Sequence, residues 1–127
     1  MVINKSVDIE DEVWTALDPY MTAYCRPLPA EYALPHILIT QVGGTNTQTI
    51  DTFALVLDSR AETEAAALEY LNRAIGILKQ VAKEQTTAMR YVTVNSSGSW
   101  GHDPVRPDLS MCSARIEVVA HQITEEV

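Results

Sequence analysis

Apolar residues recur at helical spacing from Ala61 to Gln85. Ala61, Ala65, Leu68, Leu71, Ile75, Leu78 and Ala82 form one stripe, and Glu62, Glu64, Glu69, Arg73, Lys79 and Lys83 lie mostly outside it. The pattern predicts one long amphipathic helix of roughly 37 Å. Ser59-Arg60-Ala61-Glu62 reads as its capping box. The acidic start and basic end suit the helix dipole. Gly76 within the helix weakens it by up to ~1 kcal/mol relative to Ala, which implies close packing at that point.

The other strong signal is strict alternation from Ser110 to His121. Cys112, Ala114, Ile116, Val118 and Ala120 point one way, and Ser113, Arg115, Glu117, Val119 and His121 point the other. That is a half-buried strand of an antiparallel sheet. Ala88 to Asn95 predicts a further strand, with Arg90, Val92 and Val94 opposite Met89, Tyr91 and Thr93. The stretch Ser96–Leu109 holds two Gly and two Pro and reads as a long structureless connection.

Upstream, His36 to Val42 and Asp51 to Asp58 are strands apolar on both faces. Such strands belong near a sheet centre or beneath a partner subunit. Gly43-Gly44 opens the polar loop between them. Asp8 can cap a first helix carrying Ile9, Val13, Leu17, Met21 and Tyr24 at helical spacing. Pro19 should kink or break it before it continues to about Tyr24. Pro27, Pro29 and Pro35 mark an extended connection. The order α-β-β-α-β-β over residues 1–127 predicts a single α+β domain. Its antiparallel four-stranded sheet would pack on one long helix, with a shorter N-terminal helix beside it.

Charge narrows the partners. Lys and Arg total 9 against 17 Asp and Glu, a net charge of −8. A nucleic-acid binder needs a basic face, and so does a protein docking on anionic lipid. An acidic surface still serves where DNA must pass without adhering. Cys25 and Cys112 have no CxxC partner and read as reduced thiols. No leader with an apolar core and no run of ~20 apolar residues is visible, so the expected setting is the cytosol or a particle assembled there. Asn95-Ser96-Ser97 matches a glycosylation sequon only by chance in that setting.

Candidate chemistry is sparse. His36, His102 and His121 lack metal-ligand spacing, so no metal is expected. His102-Asp103 could orient an imidazole for base catalysis, but no nucleophile sits in a recognisable elbow. Gly43-Gly44 lacks the Lys and helix start of a phosphate loop and reads as a tight turn. The carboxylates Asp8, Glu10 and Asp11 fit helix-start electrostatics. No catalytic residue, no cofactor and no enzymatic activity are therefore expected. Trp100 in its Gly/Ser/Pro loop either folds back on the core or anchors a partner, with Arg106 nearby. The interaction candidates are Gly43, Gly44, Thr45 and Asn46 in the first loop and Trp100, His102, Asp103 and Arg106 in the second.

The stretch Asp58-Ser59-Arg60-Ala61-Glu62 into Leu68 to Leu78, then Val92-Thr93-Val94-Asn95, then Gly101 to Leu109, then Ala114-Arg115-Ile116-Glu117-Val118, resembles tail terminator proteins of long-tailed siphophages. The likeness is to those of actinobacterial hosts in particular. It implies an α/β sandwich whose copies form a ring, usually of six, on the head-proximal end of the tail tube. Such a ring stops tube polymerisation and joins the tail to the head-completion (stopper) protein, with DNA passing through its lumen. The implied partners are a second copy of the chain, the major tail tube protein and the stopper, and the implied location is the virion. No individual residue role carries over. The alternatives are another head–tail connector, such as a stopper or adaptor, and a small cytosolic enzyme or ligand-binding domain with His102 and Asp103 in its cleft.

Overall fold

The computed structural model describes residues 1–127. The elements are β1 (Val2–Lys5), α1 (Ile9–Leu17), β2 (Ala23–Cys25), β3 (His36–Asn46), β4 (Ile50–Ala61), α2 (Glu64–Glu84), β5 (Met89–His102), β6 (Ser110–His121) and β7 (Ile123–Glu126). Five strands form one sheet in the order β2-β3-β4-β6-β5, and β1 pairs with β7 in a separate two-stranded ribbon. All pairings are antiparallel except β2 with β3.

This corrects the expected class. The sheet is mixed and five-stranded, not antiparallel and four-stranded, and strands hold 47% of the chain. Three short strands escaped the pattern. β2 has three residues, too few to show a period. β1 and β7 find each other across the whole chain, Val2 opposite Glu126 and Lys5 opposite Ile123.

Local chemistry explains the shifted boundaries. α1 ends at Leu17 rather than continuing past Pro19, and the chain turns so that Met21 bonds back to the Leu17 carbonyl at 3.0 Å. It then enters β2, tied to α1 by the Trp14 indole donating to the Ala23 carbonyl at 3.0 Å. α2 starts later than the Ser59 capping box predicts. Thr63 is the cap, its hydroxyl accepting from the Ala66 amide at 3.2 Å. Ser59 lies buried in β4 and donates to the Ala67 carbonyl at 2.8 Å. The buried stripe becomes Ala67, Leu71, Ala74, Ile75, Leu78 and Ala82, with Ala65 exposed and Leu68 half-buried. Gly76 faces solvent, and a Cβ added there would meet nothing within 4 Å beyond its own helix, so close packing is not its reason.

β3 runs on through Gly43 and Gly44 to Asn46, with a bulge between Gln41 and Gly43. β5 likewise runs through Ser96 to His102, where a loop was expected. It does so with three register shifts, between Met89 and Tyr91, Val94 and Ser96, and Ser97 and Ser99. The first shift places Met89 and Val92 on the same buried face, although they are three positions apart. Simple alternation had assigned them to opposite faces.

The core lies between one sheet face and both helices. Ile37, Ile39, Leu55, Leu57, Ile116 and Val118 meet Leu71 and Leu78 of α2 and Val13 and Leu17 of α1 in one connected cluster. The opposite sheet face carries Leu38, Thr40, Ala54, Val56, Arg115 and Glu117, half-buried or exposed; no helix packs on it, and it is buried only at its His36–Arg60 end, against Tyr24, Tyr32 and Asp103. β4 is the central strand, as its two apolar faces predict.

Candidate functional site

The two segments singled out by sequence lie at opposite ends of the five-stranded sheet. β3 ends and β4 begins at one end, while β4 ends, β5 ends and β6 begins at the other. β4 has 12 residues, so at about 3.3 Å per residue the two ends stand roughly 36 Å apart.

At the first end, Thr47 closes the hairpin. Its amide and hydroxyl both bond to the Ile50 carbonyl at 2.9 Å. Gly43, Gly44, Thr45 and Asn46 line a polar cleft of about 500 Å³ together with Gln41 and Asp51. Asp51 is 1% exposed. Its Oδ1 accepts from the Gln122 amide at 2.9 Å, and its Oδ2 has no partner. Gly44 has φ +149°, and a Cβ there would lie 2.4 Å from the Thr52 carbonyl oxygen. Gly44→Ala is therefore expected to destabilise by about 1–3 kcal/mol. Gly43→Ala, which meets nothing within 4 Å, should be near neutral. Paired urea titrations of the two variants check this.

At the second end, Arg60 and Asp103 form a buried ion pair. Arg60 Nε donates to Asp103 Oδ2 at 2.8 Å, with side-chain exposures of 11% and 8%. Asp103 Oδ1 accepts from the amides of Val105 and Arg106 at 2.8 and 3.0 Å. Burial alone would raise the Asp103 carboxyl, but those two amides and the Arg60 guanidinium hold it below the usual range. Arg60 Nη1 stays buried without a partner.

Beside this pair lies His36, fully buried between the rings of Tyr24 and Tyr32, each nearly perpendicular to it with ring centres 5.3 and 4.9 Å away. Its Nδ1 lies 2.9 Å from the Ala33 carbonyl, which assigns the ring proton to that nitrogen. Burial pushes the His36 pKa down, and the Arg60 charge adds to that, while the Ala33 carbonyl and Asp103 oppose it.

The residues named from sequence thus divide. Asp103 faces inward as a structural anchor. Trp100 sits on β5 opposite Cys112 and is 48% exposed. His102 is exposed at the end of β5 and makes no hydrogen bond to Asp103, whose oxygens are held by Arg60, Val105 and Arg106. The imagined His–Asp dyad therefore does not form. Arg106 is exposed and chelates Asp108 through Nε and Nη2 at 3.2 and 2.9 Å, which raises its pKa further. Sequence reasoning missed Arg60, His36 and Asp51. The only available signal was a charged residue inside an apolar strand, and Arg60 had been read as part of a helix cap.

Other chemistry is thin. No three His, Cys, Asp or Glu side chains gather where they could hold a metal. Both cysteines are free thiols. Burial raises the pKa of each, and for Cys25 the charges of Glu10, Asp8 and Asp11 raise it further, so both are poor nucleophiles near neutrality. No helix is long and apolar enough to cross a membrane. No known family model matches the chain, and no curated protein matches it either.

Proposed function

We propose that this chain is a structural ring subunit that caps a phage tail tube, stops its growth and joins it to the head-completion protein without catalysing a reaction. The observation that carries this reading is the placement of two polar hairpin ends at opposite ends of one sheet. A joining protein needs two separate contact surfaces, and this subunit offers Gly43 to Thr49 at one end and Trp100 to Asp108 at the other. The resemblance to tail terminators supplies the identity of the two partners and the usual count of six. The net charge of −8 suits a lumen through which DNA slides. Another connector of the same neck, a stopper or adaptor, would use the same two ends. The enzyme alternative loses its one pair of candidate residues, since Asp103 turns away from His102.

Negative-stain microscopy of tails assembled with and without this protein tests the reading. Tails of runaway length in its absence, and a capped end in its presence, are the expected result. Tails of fixed length in its absence would overturn termination. For the second end, Trp100→Ala with Arg106→Ala should leave the subunit folded and the tails unjoined. Asp103 is a poor target for that test, because its removal loosens the fold itself.

A further inference from the structure

The two lateral edges of the five-stranded sheet carry opposite charge. β5 forms one edge. There Lys79 and Lys83 of α2 and Arg90 of β5 line a cleft of about 400 Å³ with Tyr91 and Val92. None of the three cations has an acidic partner among the ion pairs of the chain. Arg90 spends its guanidinium on the carbonyls of Thr87 and Met89. Tyr91 beside them is 65% exposed. In a chain with only 9 Lys and Arg, this is a third of the positive charge, gathered and unpaired.

β2 forms the opposite edge, flanked by α1. Asp8, Glu10 and Asp11 line a cleft of about 360 Å³ there with Trp14 and Arg26, and Glu12 follows in the same turn. Arg26 bonds to Glu10 at 3.1 Å and is the only cation among these four carboxylates. Helix capping by itself explains an acidic first turn. The unpaired cationic cleft on the other edge is the independent observation that gives it a partner.

The two clefts lie a few residues apart along the strands. The Gln41 amide donates to Glu10 at 3.0 Å. Gln41 lies level with Leu55, Leu55 with Ile116, and Ile116 with Val94. Tyr91 and Val92 lie level with Val119 and Val118, two to three residues from Ile116, while Cys25 of the acidic cleft lies level with Ile39, Leu57 and Ala114, so the offset is two to five residues, about 7–17 Å along the strands. Both clefts also lie on the helix side of the sheet. A head-to-tail contact of this kind closes into a ring only where its rotation leaves no rise along the ring axis. The three bulges of β5 spoil it as a template for strand addition, so side chains and not a backbone ladder must make the contact.

We propose that the basic α2–β5 cleft of one copy receives the acidic first turn of α1 of a second copy, head to tail. This deepens the ring reading and rests on it for closure. Sedimentation velocity of the full chain across ionic strength tests it, since exposed charges are felt over roughly 30 Å at 0.01 M salt and 10 Å at 0.1 M. The wild-type chain should associate at low salt and dissociate as salt rises. Lys79→Glu with Lys83→Glu, or Asp11→Lys with Glu12→Lys, should each weaken association roughly a hundredfold, because like charges then face each other. Asp8 and Glu10 are left intact, since they hold the helix cap and the Gln41 amide. Circular dichroism checks that both variants fold. Mixing the two variants, or combining all four changes in one chain, should restore association. A wild-type chain that stays monomeric at low salt overturns the contact, and so does association unchanged by either pair, or loss without rescue. Binding of duplex DNA to the basic cleft, without self-association, overturns it as well. Tail length reports on termination separately: normal length control with charge-reversed edges would sink this contact and spare the tail reading.

Discussion

Asp103→Ala is expected to lower stability by about 3–5 kcal/mol, the usual cost of leaving one member of a buried ion pair alone. A domain of this size holds only ~5–15 kcal/mol in total, so the loss should be plain in urea or thermal unfolding. The reason is specific. Arg60 is 9% exposed and its Nη1 already lacks a partner. Without Asp103 its Nε would lose its acceptor as well, and the amides of Val105 and Arg106 would lose theirs. Asp103→Asn keeps an acceptor for those two amides and should lose less. Equal loss in the two variants would mean that the neutral acceptor contributes nothing and that the charge carries the whole effect.

The same cluster predicts how acid weakens the fold. Asp103 has its folded pKa depressed. Its contribution is therefore present above the unfolded carboxyl value of about 3.9 and is lost as pH falls through the lower folded value. His36 is also depressed, chiefly by burial. For a base that means the unfolded chain takes up a proton first, so stability begins to fall below the unfolded value of about pH 6.5. Stability should thus decline in two stages on acidification. His36→Phe should remove the upper stage and leave the lower. A single decline below pH 4 in the wild-type protein would contradict the role given to His36.

Leu57→Ala is expected to cost about 2–5 kcal/mol, while Val56→Ala next to it costs less than half as much. Leu57 is fully buried on the central strand, level with Ile39 on one side and Ala114 on the other. Truncating it leaves a cavity under the helices. Val56 points to the uncovered face, level with Thr40 and Arg115, and is only half-buried. Chemical denaturation of the isolated subunit separates the two. Equal losses would mean that the second face is covered too, contrary to a two-layer arrangement.

The pattern of residues in β4 shows why half of this could be read in advance. Phe53, Leu55 and Leu57 alternate with Ala54 and Val56, so a strand was certain from local sequence. Which apolar face is covered was not, because Val and Ala suit both a core and a partner's surface. The loop at Ser96 to Leu109 failed for a different reason. Gly and Ser lower strand propensity, yet β6 has a full row of backbone groups to offer, and β5 follows it to His102 by inserting bulges. The contact candidates suffered the same limit. Trp100, His102 and Arg106 are exposed at one end, but Asp103 among them belongs to Arg60, 43 residues away. No local pattern records that pair.

By itself the sequence determined the long helix α2, the strands β4 and β6, the acidic character and the lack of metal-ligand spacing. Each is a local or summed property: a period of 3.6 or 2, a count of charges, a spacing of ligands. The tertiary structure alone decided that β2 joins the sheet in parallel, that β1 and β7 pair, and that Asp103 is buried against Arg60. It also decided that the two hairpin ends are opposed and that the two sheet edges differ in charge. These are relations between residues distant in the chain. They follow from which surfaces exclude water together, and a linear pattern carries no term for that.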